Sequence, residues 1–213
     1  MAPSRSPLEE LTLAVAAATR AIADNRNLTV TYGRDTARLT GDQLFLQQPS
    51  RELTTNEVVT LRGTADAYAL RLRHHDANVH AARLPDGAEA RGVYNAAELA
   101  RVESLGAKRM RGVAGNLNAL LEDHYKRAGY SDIEAKEEAP IGEAVALMLR
   151  ERITGAPPPE SARKIVELWR DDILENGAED LDLLASAASD QEDFTRAARK
   201  LIADLGLADE EDN

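Results

Sequence analysis

The chain has 213 residues, 43% of them apolar and 30% charged, but it contains two Phe and one Trp. That length supports one good core, or one core with a small satellite. A core short of aromatics must be built from Ala, Leu and Val, which favours close-packed helices over a sandwich. No cysteine is present, so disulfides, thiolate metal sites and a cysteine nucleophile are excluded together.

The net charge of −11 is localised. Residues 1–170 are balanced, with 23 basic and 23 acidic side chains, whereas residues 171–213 hold 3 basic and 14 acidic ones. A neutral body with an acidic tail is a poor nucleic-acid binder, and it points to an electrostatic contact or the start of a solvated linker. No apolar run approaches the roughly 20 residues that span a bilayer. The opening MAPSRSPLEEL carries acids where a signal peptide is apolar. The expectation is a soluble, cytoplasmic protein without membrane contact.

In chain order, residues 1–6 are expected to be disordered. Ser6-Pro7-Leu8-Glu9 then opens a helix with a capping box and Pro in its first turn. Leu8, Leu11, Val15, Ala18 and Ile22 give it one apolar face, and Asp24-Asn25-Arg26-Asn27 should stop it. Leu28 to Tyr32 alternates as a strand and ends at Gly33. Residues 37–40 and 43–46 flank Gly41-Asp42 as a hairpin, and Pro49 closes it. So few strands must pack on helices.

Residues 64–103 concentrate the unusual residues. Thr54-Thr55-Asn56-Glu57 is a second capping box, and Val58, Leu61, Ala65, Tyr68, Ala69, Leu72 and Val79 share one stripe at 100° per residue. On a continuous helix Asp76 falls in that stripe, with His75 and His80 at its edges and His74 opposite, beside Leu70. A buried carboxylate needs a cation or donors. After the Pro85-Asp86-Gly87 turn, Val93, Ala96, Ala97, Ala100, Ser104 and Ala107 form a small-residue face. An antiparallel helix pair is therefore expected, with Asp76 held by Arg91 or Arg101.

Gly112 and Gly115 should break the second helix near Arg111. A further helix through Leu117, Leu120, Leu121 and Tyr125 ends at Gly129, and residues 132–138 read as a surface connector. Pro140 precedes an amphipathic helix ending at Gly155. Ala156-Pro157-Pro158-Pro159 reads as a rigid hinge. Beyond it, Ile165 to Leu174 form a helix ended by Gly177, and Leu181, Leu183 and Leu184 mark a short one. Ser189-Asp190-Gln191-Glu192 is a third capping box opening the last helix, which Gly206 ends. The fold class is mainly α (α+β): a helical bundle with a small antiparallel β-sheet or hairpin near the N-terminus. Its parts are a helical core with the sheet over residues 7–155, a C-terminal helical segment over 156–207, and an acidic exit from 208.

Motif searches exclude a Walker-type phosphate loop, a G-x-S-x-G elbow and a D-x-S-x-S metal run. Chemistry is concentrated at the histidines. A strand, a hairpin and a helix bearing His share the element order of zinc peptidases, but H-E-x-x-H is missing. His75 and His80 are five apart, which separates their rings by about 140° on one helix. The candidate residues are His75, Asp76, His80, Glu98, Arg101 and Glu103. They form either a buried polar network or a metal site in which Asp76 and His80 are joined by Glu98 or Glu103. Arg71, Arg73, Lys108, Arg109 and Arg111 offer a basic patch or, the favoured reading, solvated faces with local ion pairs, and Trp169 reads as core.

At this point the chain resembles a known family, the N-terminal region of the CobT subunit of aerobic, ATP-dependent cobaltochelatase. The resemblance rests on an ordered set from about Leu8 to Leu184: Arg62-Gly63, Ala69-Leu70, His75-Asp76-Ala77, Val79-His80 and Ala97 to Glu103 with Gly106-Ala107. It continues through Leu120 to Asp123, Ala139 to Leu147 and Val166 to Arg170. No short motif among them is diagnostic alone. The resemblance implies a subunit of a three-part machine. An AAA+ subunit hydrolyses ATP, and a large subunit holds the corrin substrate, hydrogenobyrinic acid a,c-diamide. Family members continue into an acidic linker and an integrin-I-like domain with a D-x-S-x-S metal site. This sequence departs there, at Asp209-Glu210-Glu211-Asp212, and reads as a shortened form. The implied role is a non-catalytic adaptor, with no cofactor in this chain and with ATP, Mg and Co used by the complex. Self-association into a homo-oligomer is a further expectation.

Overall fold

The structure, a computed structural model, describes residues 5–208. Most of the expected disordered N-terminus and all of the acidic exit except Ala208 lie outside the described residues. The elements run α1 (Pro7–Ala23), β1 (Thr29–Gly33), β2 (Arg38–Thr40), β3 (Gln43–Gln47), α2 (Thr55–His74) and α3 (Ala77–Ala81). They continue with α4 (Ala88–Arg109), α5 (Arg111–Arg127), α6 (Ile141–Thr154), α7 (Arg163–Ala187) and α8 (Gln191–Asp204). Among the described residues the protein is mainly α with one small sheet.

The helix starts follow their local chemistry. Ser6 and Thr54 each accept from the backbone N–H three residues on, and Glu9 and Glu57 return the bond to the cap backbone. The third expected box is shifted, because Asp190 rather than Ser189 caps α8, accepting from Glu192 N and Asp193 N. Left-handed residues close α1 at Asp24 and α6 at Gly155, and Gly129 and Gly206 take the same conformation beyond α5 and α8.

The hairpin forms as read, with Leu39 opposite Leu44 across the Gly41-Asp42 turn. β1, however, pairs parallel to β3, with Val30 beside Leu44 and Tyr32 beside Leu46. The sheet is thus mixed, in the order β1-β3-β2, rather than antiparallel throughout. The sequence marks alternation and turns but not which edge an isolated strand joins. Its buried side, Leu28, Leu44 and Leu46, packs with Leu11, Val15 and Ile22 of α1, Leu61, Ala65 and Leu70 of α2, and Val113 and Leu117 of α5. Polar ties fix the layers: Tyr32 Oη donates to Thr12 O at 2.7 Å and Tyr68 Oη to Ala37 O at 2.9 Å. Ala18, expected inward, is exposed, and Thr19 occupies the buried position instead.

A second cluster joins α4 (Val93, Ala97, Ala100), α6 (Val145, Leu147, Leu149), α7 (Ile165, Ile173, Leu181) and α8 (Phe194, Leu201). The small-residue face of α4 does admit a close neighbour, but that neighbour is α6 and not α2. A Cβ on Gly142 would lie 3.1 Å from the backbone of Gly92. α2 packs closely on α5, where a Cβ on Gly63 would stand 2.7 Å from Asn116 O and from Leu120 Cβ. Leu70, expected on the outer side, is fully buried because α2 is enclosed by α4 and α5 as well as by α1.

Three breaks differ from expectation. α2 stops at His74 instead of continuing to residue 80, and α3 restarts at Ala77. The break between α4 and α5 falls at Met110, with extended φ/ψ, rather than at Gly112 or Gly115. The expected end at Gly177 is a kink within α7 (φ −135°, ψ 18°), where the tip of Leu201 packs against the glycine, 2.4 Å from where a Cβ would stand.

Candidate functional site

The α2–α3 break decides the geometry of the candidate site. His75 is extended and caps the end of α2, and Asp76 begins α3, accepting from Asn78 N at 2.8 Å and Val79 N at 3.2 Å. Asp76 is exposed, so the expectation that it is buried against Arg91 or Arg101 is overturned. An Asp at an N-cap satisfies orphan backbone donors and stays solvated, which is cheaper than burying its charge. Its backbone is clamped instead: Asp76 N donates to Gln191 Oε1 at 2.7 Å, and Gln191 Nε2 donates to Asp76 O at 2.9 Å. Arg91 serves the 85–87 turn, donating from Nε to Pro85 O at 2.7 Å.

Because the chain turns at residues 75–76, the two imidazoles meet, where a continuous helix would hold them about 140° apart. Their ring centroids are 5.1 Å apart. α4 supplies the opposing side with Asn95, Glu98, Leu99 and Val102, spaced as one helical face. With Arg71, His75, His80 and Leu84 they line a cleft of about 450 Å³. His75 Nδ1 lies 2.7 Å from Glu98 Oε1, and His80 Nε2 lies 2.8 Å from Asn95 Oδ1. Tyr94 packs its ring 4.6 Å from that of His80 and donates from Oη to His80 O at 3.1 Å. Burial pushes the Tyr94 phenol pKa up.

Glu98 is also bound by Arg101, which is 2% exposed. Arg101 Nε donates to Glu98 Oε2 at 2.7 Å and Nη2 to Glu98 Oε1 at 2.8 Å, a bidentate pair. Its other bonds reach His74 O at 2.6 Å and Ala188 O at 3.0 Å, joining the end of α2 to the α7–α8 corner. Burial is the main cause lowering the His74 pKa, and Arg73 and Arg101 add to it.

Glu103 does not join this group. Five residues beyond Glu98, it faces another side of α4 and pairs with Arg150 of α6 at 2.6 Å. The structure thus brings together His75, His80, Glu98 and Arg101, and leaves Asp76 and Glu103 aside. Asn95, Tyr94 and Gln191 were missed from sequence. The i, i+3 spacing of Asn95 and Glu98 is the signal that could have found the first of them.

Residues 5–213 match the family model of the cobalamin biosynthesis protein CobT. The chain belongs to the CobT family. Membership ties it to cobalamin biosynthesis and to a cobaltochelatase subunit, and so to a complex with other subunits. No solved structure matches this CobT chain. Among its described residues no helix is long and apolar enough to cross a membrane.

Proposed function

We propose that this chain is a non-catalytic assembly region of a cobaltochelatase subunit. It supports ATP-dependent insertion of the substrate cobalt into hydrogenobyrinic acid a,c-diamide by docking on an AAA+ partner and, with it, on a large corrin-binding subunit. The observation that carries this reading is the family match across residues 5–213. Two features support it. Buried Glu103 pairs with Arg150 and braces α4 against α6, and Arg101 ties the end of α2 to the α7–α8 corner. The exposed acids Asp171, Glu175 and Glu179 recur every four residues along α7 and offer a charged stripe leading toward the half-exposed Leu183. On this reading ATP and Mg²⁺ are bound by the AAA+ partner.

The test is size-exclusion chromatography of the chain with the AAA+ subunit, with and without ATP. Co-elution is expected, and it should weaken as salt is raised and in a Glu175→Lys/Glu179→Lys variant. A folded chain that never co-elutes would overturn the docking role.

A further inference from the structure

Beyond the assembly role, and independent of it, we propose that the cleft between α2–α3 and α4 is a binding site for a late first-row divalent metal ion, held by His75, His80 and Glu98. One donor atom from each of the three lies within 4.8 Å of the others, with Glu98 buried and both histidines partly so. Imidazole and carboxylate donors bind such ions at about 2.0–2.2 Å, which sets tetrahedral ligand pairs about 3.3 Å apart. Side-chain rotation about the histidine and glutamate bonds is the movement that would bring the three donors to that spacing.

The hydrogen-bond pattern fixes which atoms are available. The Asn95 Oδ1 atom can only accept, so His80 Nε2 carries the proton and donates to it. The lone pair of His80 is then on Nδ1, which is buried and has no hydrogen-bond partner. Leaving a buried polar atom unpartnered is costly, and a metal ion would supply the missing partner. A ring whose outer N–H is held by an amide oxygen while its other nitrogen is free matches the arrangement of metal-ligating histidines. At His75 the ion would take the Nδ1 lone pair of the neutral tautomer that carries its proton on Nε2, in place of the contact between Nδ1 and Glu98 Oε1.

Arg101 sets the strength of the site. It orients the Glu98 carboxylate through two bonds and also neutralises it, so the two imidazoles contribute most of the affinity. This favours nitrogen-preferring ions such as Co²⁺, Ni²⁺ and Zn²⁺ over Mg²⁺ and Ca²⁺. It also favours an exchangeable ion over a structural one. Three protein ligands beside an open cleft leave a fourth position for water or another donor.

The probe is Co²⁺ alone, added to the intact protein. Calorimetry should show one equivalent bound, with no comparable uptake of Mg²⁺. His80→Ala should abolish binding, and Asn95→Ala, which frees the outer nitrogen, should weaken it about tenfold. Paramagnetic broadening in NMR reads the native chain directly, so the test survives a variant that fails to fold. The ring signals of His75 and His80 should broaden first, with His124 as the internal control. The absence of stoichiometric uptake would overturn the site. So would uptake that spares the His75 and His80 signals or persists in a folded His80→Ala variant.

Discussion

Arg101 makes four hydrogen bonds from a position that is 2% exposed, and its guanidinium also lies 5.4 Å from the Phe194 ring centroid. A buried ion pair is weak evidence for net stability, but removing one partner strands the other charge, at about 3–5 kcal/mol. Glu98→Gln should therefore lower stability by about 3 kcal/mol or more. At this chain length that is roughly 6–12 °C in Tm, measurable by thermal melting. A change under about 1 kcal/mol would show that Arg101 is satisfied by its two carbonyl contacts. Asp66 is a second buried acid: Asn116 Nδ2 donates to it at 2.7 Å, while burial pushes its pKa up. Neither the Glu98–Arg101 pairing nor the Asp66–Asn116 contact could be chosen from sequence, because several arginines and amides lie at compatible spacing.

At the scale of elements, the capping residues carry the clearest local information. Glu57 accepts from Ser50 N and Oγ and from Thr54 N and Oγ1, at distances from 2.7 to 3.0 Å. The Ser50 backbone bond is the leading cause that draws its pKa down to about 2. A carboxylate with a depressed folded pKa contributes stability that is present above its ordinary value of 4.5 and lost as pH falls through about 2. In Glu57→Gln this contribution is absent. The stability gap between the native chain and the variant should be full at pH 6 and should close between pH 4.5 and 2, as followed by urea unfolding. A gap independent of pH would refute the assignment. The same box read correctly from Thr54 to Glu57 gave no warning that α2 would end at His74. That end depends on Asp76 capping α3 locally and on Gln191, 115 residues away, clamping the Asp76 backbone.

On the scale of the whole molecule, two apolar clusters share their helices. α4 gives Ala97 and Ala100 to one and Val102 to the other, and α5 divides Val113 and Leu117 from Tyr125 in the same way. Neither cluster can open without exposing the other, so unfolding should be a single transition. Trp169 reports on the α6–α7 side, with Nε1 donating to Ala139 O at 3.1 Å. Its fluorescence should change in step with far-UV circular dichroism across a urea series. A separate Trp169 transition would show that the two clusters unfold independently.

The sequence by itself determined the mainly helical class, the cap residues of α1 and α2, the hairpin, the left-handed glycines and the family. Each of these is set by groups within a few residues of one another, or by an ordered set along the chain. The tertiary structure alone decided that β1 lies parallel to β3, that α4 packs on α6 and α2 on α5, and that Asp76 faces water. It also decided that His75 and His80 meet at all. That last outcome reverses a correct helical calculation. Periodicity holds only while the helix continues, and its end at His74 is held by the local Asp76 cap together with bonds to Arg101 and Gln191 that no local pattern encodes.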